Sequence, residues 1–187
     1  MAVAIILAGG KSTRMGTNKM LLSFANRPLI YYTITGVKPY VSKIYVVTGK
    51  YDKEIRDALK DLDIEYVFNK DYEKGMFSSV LAGVKEVEDD FMIIPGDCPF
   101  IKGETYQKIL SSKGDIRYPM YQGKEGHPLY ISKKYKEELL NFGLDNNLKL
   151  FRDSKKCEII NVEDKNIFLN INDLNDFNNL LIDMKGR

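Results

Sequence analysis

Four short, mostly apolar runs punctuate the first half of the chain: Val3–Leu7, Ile44–Thr48, 64–68 and 91–94. Their alternation with longer segments of helical character constrains the fold more than any other feature. Each run is rich in β-branched or aromatic residues, the pattern of a strand buried on both faces. The segments between them read as helices. Residues 27–40 open with Pro28, and residues 52–62 begin with Asp52, a residue able to cap. In 76–87, Met76, Val80, Leu81, Val84 and Val87 recur at helical spacing. Strands separated by helices run parallel and cross over with a right hand. The expected fold is therefore α/β, a Rossmann-like, mostly parallel sheet flanked by helices.

The rhythm changes in the second half. Residues 117–132, RYPMYQGKEGHPLYIS, read as two strands around a Gly/Lys/Glu turn, a small hairpin or an insertion into the sheet. Helices are expected at 133–141 and 146–153, strands at 158–162 and 167–171, and a last helix from Asp173. No repeat, low-complexity tract or linker interrupts the chain, so residues 1–187 read as one domain.

Composition limits the function. At 187 residues the chain can bury a core without disulfide or metal staples. A net charge of +2 gives no global basic field, so neither nucleic acid nor a membrane surface is expected as a partner. The two cysteines, Cys98 and Cys157, are far apart and in no metal-like spacing, which suits a reducing compartment. The apolar N-terminus is too short for a secretory signal, and no run approaches the ~18 apolar residues of a membrane span. A cytoplasmic location is expected.

In an open α/β sheet, ligands bind beyond the carboxyl ends of the strands. The loop behind the first run, AGGKSTRMGTNK, is thus the first place to look. Gly9 and Gly10 let backbone N–H groups approach a ligand, Lys11, Arg14 and Lys19 bring positive charge, and Ser12 and Thr13 bring hydroxyls. Such a loop can cradle a polyphosphate. It is neither the P-loop pattern G-x-x-x-x-G-K-[ST] nor the dinucleotide fingerprint G-x-G-x-x-G, so a dinucleotide oxidoreductase is disfavoured. In IIPGDCPFI an apolar run ends in Gly96 and Asp97. An aspartate facing a cationic phosphate loop is explained by a magnesium ion, which takes one or two carboxylates plus phosphate oxygens and water; the competing role is a helix N-cap. Cys98 beside it has no evident thiolate partner and reads as packing. In GMFSSVLAGV, Ser78 and Ser79 lie in the first turn of a helix whose free N–H groups can hold polar or anionic groups. Asn69 ends the third run at the same edge.

LAGGKSTRMGTNK resembles the signature L-A-[AG]-G-x-S-x-R-M-G-x-x-K of the nucleotidyltransferases that act on molybdopterin, within the sugar-phosphate and alditol-phosphate nucleotidyltransferase superfamily. GMFSSVLAGV, GDCP, GHP and FLNINDLNDF are similar to further segments of that family. The resemblance implies the nucleotidyltransferase type of sheet and transfer of a nucleoside monophosphate from a nucleoside triphosphate to a phosphate-bearing acceptor, molybdopterin, with release of pyrophosphate. It implies that Leu7, Ala8, Gly9, Gly10, Ser12, Arg14 and Lys19 wrap the triphosphate and base, with Ser79 near base or ribose and Asn69 beside it. Asp97 would carry magnesium, or manganese in its place; Asn172 would be a second ligand, though asparagine is weaker than the usual aspartate. His127 and Asn170 would face the acceptor. The expected catalytic residues are Arg14, Lys19 and Asp97. A phosphate monoester is already largely dianionic at neutral pH, so His127 is not needed as a general base.

The branch is mixed. Gly9, Asn170 and Asn172 match guanylyl enzymes, whereas Ser78–Ser79, GDCP and GHP match cytidylyl enzymes. CTP is the favoured nucleotide and GTP the alternative, with a CTP-dependent enzyme for another sugar or alditol phosphate behind them. A molybdoenzyme or its chaperone would receive the product. A nucleotide-binding regulatory module is the non-enzymatic reading, against which Arg14, Lys19 and Asp97 argue.

Overall fold

The computed structural model describes residues 1–10 and 18–169. Of the expected site residues, Ser12, Arg14, Asn170 and Asn172 lie outside the described residues, as does the helix from Asp173. The chain runs β1 (Val3–Leu7), β2 (Ser23–Phe24), β3 (Arg27–Pro28), α1 (Leu29–Val37), β4 (Ile44–Thr48), α2 (Asp52–Ala58) and β5 (Glu65–Phe68). It continues through α3 (Met76–Lys85), β6 (Phe91–Pro95), α4 (Gly103–Ser111), β7 (Ile116–Tyr121), β8 (Lys124–Glu125) and β9 (Leu129–Ile131). Helices α5 (Lys136–Leu140) and α6 (Leu148–Asp153) and strand β10 (Glu158–Asn161) follow.

The main sheet has the order β10-β7-β9-β6-β1-β4-β5, with β8 paired to β7. Strand β1 lies parallel between β4 (Leu7 opposite Val47) and β6 (Leu7 opposite Pro95), and β4 is parallel to β5. The first, second and fourth apolar runs form the parallel centre, as their two-sided burial requires, whereas the third is the edge strand β5, half-buried or exposed along its length because nothing among the described residues pairs with its outer side. Alternate residues of β1 feed opposite faces. Ala4 and Ile6 pack with Ile30, Ile34, Ile55 and Tyr106 from α1, α2 and α4. Val3, Ile5 and Leu7 pack with Val80 and Val84 of α3, Leu139 of α5 and Phe151 of α6. Among the described residues no helix is long and apolar enough to cross a membrane.

Several local features differ from the expectation. The 117–132 segment inserts into the main sheet, the second of its two expected readings, and does not stand apart as a hairpin. β9 is wedged antiparallel between β6 and β7, and the tight turn, Gln122 (φ 49°) and Gly123 (φ 77°), leads to β8 instead. Pro28 is the N-cap of α1, one position before the helix begins, and also closes β3. Arg27–Pro28 pairs with Ser23–Phe24 across Ala25 (φ 44°) and Asn26 (φ 66°), the two left-handed residues of a hairpin turn. Asp52 caps nothing with its side chain; its carboxylate takes the Thr48 hydroxyl and the Arg56 guanidinium. The strand expected at 167–171 is, over the described part, a 3-10 turn at Lys165–Phe168, because Asp164 Oδ1 accepts the Asn166 N–H at 3.1 Å and closes the backbone locally. Helix α4 was not foreseen, although Tyr106 and Ile109 are buried at helical spacing.

Candidate active site

After β1 the chain builds outward to β4 and β5, then returns to β6 on the other side of β1. The connections therefore diverge between β1 and β6, and a crevice is left at their carboxyl ends. Leu7–Gly10 enters it from β1 and Gly96–Asp97 from β6, tied by the Gly96 N–H to the Leu7 carbonyl at 2.9 Å. A cavity of about 470 Å³ occupies this point; Leu7, Gly9, Gly10, Lys19, Ser79, Asp97 and His127 all line it. The structure thus brings together side chains that lie up to 120 positions apart (127 − 7).

Ala8 is buried behind the cavity, where its N–H donates to the Val47 carbonyl at 2.8 Å and roots the loop on the sheet. Asn69 does not line the cavity. Its amide Nδ2 donates to Ser78 Oγ at 2.8 Å and Ser79 Oγ at 3.0 Å, fixing both hydroxyls at the start of α3. Gly9 permits this contact between loop and helix: a Cβ there would stand 2.5 Å from Ser79 Oγ. Lys19 begins a short 3-10 turn, Lys19–Leu21, steadied by Asn18 Oδ1 accepting the Met20 N–H at 3.1 Å. Its ammonium donates to Asp97 Oδ2 at 2.5 Å.

Asp97 is buried at the end of β6, in a turn held by its backbone. Thr33 Oγ1 donates to the Gly96 carbonyl at 2.9 Å, and the Cys98 N–H donates to the Pro95 carbonyl at 3.1 Å. Burial lifts the Cys98 thiol well above its ordinary range, and the negative charge of Asp97 adds to this. Cys98 is thus a packed thiol, not a thiolate.

His127 stands between this cavity and a second one of about 360 Å³; Met76 is the other residue common to both. The second cavity is walled by Phe77 and Val80 of α3, Tyr118 of β7, Leu129 of β9 and Leu148 of α6. Arg152 also borders it, its guanidinium 4.4 Å from the Tyr118 ring centroid and bonded to Glu125 Oε2 at 2.8 Å. The His127 N–H donates to the Ile167 carbonyl at 2.6 Å, and its peptide bond to Pro128 is cis.

Burial pushes the His127 pKa down to about 4; the Asp97 charge opposes the shift and the Arg152 charge assists it. The imidazole is therefore neutral at neutral pH. In the unfolded chain it takes up its proton near pH 6.5, so between pH 6.5 and 4 the unfolded state binds more protons than the folded one. Stability contributed by neutral His127 is complete above pH 6.5 and is lost as pH falls toward 4. Urea unfolding at pH 7 and pH 4.5 should show a loss on the order of 2 kcal/mol that His127→Gln abolishes. An equal loss in the variant would assign the effect to other groups.

The family model of the MobA-like NTP transferase domain matches residues 4–157. The chain belongs to this family. It is 30% identical over 179 residues to the molybdenum cofactor cytidylyltransferase of Escherichia coli K12, covering 92% of each chain. It is 28% identical over 163 residues to a probable molybdenum cofactor guanylyltransferase of Natranaerobius thermophilus, covering 80% of this chain and 78% of that one. In structure it is similar to a nucleotidyl transferase from Methanothermobacter thermautotroptrophicus, with a TM-score of 0.86 at 22% identity over 100% and 99% of the two chains. This MobA-like chain is a nucleotidyltransferase.

Its donor set fits a hard divalent cation. Among the described residues no group of three or more His, Cys, Asp or Glu side chains could hold an ion. That is a poor site for zinc or for a protein-caged calcium. Two carboxylates, Asp97 and Glu73, border a phosphate-sized cavity, which suits a hard divalent cation that keeps water and phosphate oxygens in most of its coordination positions.

The MobA-like signature segments did not reveal every residue around the site. Tyr72 and Glu73 also line the first cavity, from the 3-10 turn before α3. Tyr118, Glu125 and Arg152 border the second from separate elements. No short spacing marks them.

Proposed function

We propose that this MobA-like transferase moves cytidine monophosphate from CTP to molybdopterin, with GTP as the alternative nucleotide. The observation that carries the reading is Lys19 and Asp97 meeting in the cavity at the sheet's switch point, next to a second, apolar cavity. The backbone of Leu7–Gly10 would receive the phosphates, and Lys19, with Arg14 and Ser12, would offset their charge. Ser79, oriented by Asn69, would meet the base or ribose. Asp97 would hold magnesium, or manganese, which when bound polarises phosphoryl oxygens and offsets their charge. The acceptor phosphate is its own nucleophile, so the protein's work is alignment of two anions, not proton removal.

Neutral His127, standing between the cavities, would orient the acceptor together with Asn170. The acceptor's body would enter the second cavity. A polyol phosphate would set hydroxyls against Phe77, Val80 and Leu129, and those out of reach of Glu125, Asn147, Lys149 and Arg152 would lack partners at a cost of about 1–3 kcal/mol each. The fused rings of molybdopterin suit those walls better. Ser78–Ser79, GDCP and GHP support CTP; Gly9, Asn170 and Asn172 lean to GTP. Two cysteines far apart in sequence and in no metal-like spacing, Cys98 and Cys157, accord with a cytoplasmic setting, and a molybdoenzyme or its chaperone is the partner such a product requires.

Filling the second cavity tests this placement. Leu148 is half-buried at the start of α6, so tryptophan can be introduced there without opening the core. Leu148→Trp should raise the acceptor KM about tenfold or more and leave nucleotide affinity within about twofold. Weakened nucleotide binding with an unchanged acceptor KM would contradict it.

A further inference from the structure

We propose that Lys19 is the resident counter-ion of Asp97, and that divalent metal gains Asp97 only as the nucleotide's phosphates draw the ammonium away. The inference rests on the reading of Asp97 as the metal-bearing carboxylate. It starts from the ion pair itself: Lys19 Nζ lies 2.5 Å from Asp97 Oδ2, with the two side chains 22% and 7% exposed. Magnesium would need to approach that same oxygen to about 2.1 Å. An ammonium already in hydrogen-bond contact with it fills the approach and repels a second cation. In the nucleotide-free protein the carboxylate is thus satisfied and the metal site is closed by the chain's own cation.

The anchoring of Lys19 permits the exchange. Its backbone is fixed beside the Gly96–Asp97 turn. The Asn18 side chain caps the segment, the Leu22 N–H donates to the Lys19 carbonyl at 3.3 Å, and the next residue, Met20, is buried with its sulfur against Gly96. The ammonium rides on a flexible four-carbon stem inside a cavity of about 470 Å³ bordered by the Gly9–Gly10 backbone. It can swing from carboxylate to phosphate with no movement of the main chain. A triphosphate, carrying several negative charges, competes strongly with one carboxylate for it. Lys19 therefore acts as a positioning residue for metal loading as well as a phosphate ligand, and the order it imposes keeps metal from occupying Asp97 before there is a nucleotide to share it.

Electron paramagnetic resonance of manganese(II), added to the nucleotide-free full chain, tests the exchange without any turnover. Lys19→Met removes the charge and keeps the stem. It should bind one manganese ion at least about tenfold more tightly than the unaltered protein, and the double variant Lys19→Met/Asp97→Asn should lose that site. Lys19→Ala provides the same comparison should the methionine variant fold poorly. Equal manganese affinity with and without Lys19, in binding that still requires Asp97, would overturn the exchange and leave Asp97 as metal ligand. Manganese binding that ignores Asp97 in every variant, with or without CTP, would overturn both.

Discussion

Asp97→Asn should lower the rate of pyrophosphate release by about a thousandfold or more while the protein stays folded. The substitution keeps size and shape and removes the one negative charge that the β6 end places in the cavity beside Lys19. On the proposed reading two anionic phosphates meet there, and a thousandfold loss corresponds to about 4 kcal/mol of lost transition-state stabilisation, within the several kcal/mol that a bound divalent metal would supply. Folding should survive because the turn is held by backbone bonds at Gly96 and Cys98 and by Thr33, none of which uses the carboxylate. Turnover within about tenfold of the unaltered enzyme, with an unchanged thermal midpoint, would remove Asp97 from the metal site.

Gly126→Val should act on stability. A Cβ at Gly126 would lie 2.4 Å from Ile167 Cγ1, 2.6 Å from its Cβ and 2.6 Å from its carbonyl oxygen. Ile167 is fully buried, and that same carbonyl accepts the His127 N–H. Valine must therefore push the 165–168 turn off the His127 segment, overpacking a core contact and stretching a hydrogen bond. Together these cost about 3 kcal/mol, a fall in thermal midpoint of roughly 6–12 °C for a chain of this size. Scanning calorimetry reads the change directly. A midpoint within about 2 °C of the parent would mean that the two segments are not held as closely as this contact requires.

The central strands were legible because burial on both faces leaves a contiguous apolar signature, as in Ile44–Thr48 and Phe91–Pro95. Their neighbours were not. The place of β9 between β6 and β7 is decided by pairing across the chain, with Ile93 opposite Leu129 and Ile116 opposite Ile131, and no local pattern encodes it. The β2–β3 turn at Ala25 and Asn26 lacks the glycine that marks most such turns, so the hairpin before α1 went unread. Around the cavity, what could be read lay in short contiguous stretches: the Gly9–Gly10 loop, the serines opening α3, the aspartate after β6. The second cavity is assembled from one or a few residues each of α3, β7, β8, β9 and α6. The Lys19–Asp97 contact likewise spans 78 positions. Both are consequences of the fold and become visible only once it is assembled.

The most direct test of the transferase account is pyrophosphate release on mixing the protein with magnesium, molybdopterin and either CTP or GTP. The account predicts release with CTP that requires both acceptor and metal and yields one pyrophosphate per cytidylylated acceptor. Release with GTP alone would contradict the choice of nucleotide, and nucleotide binding without release from either would contradict the transfer itself.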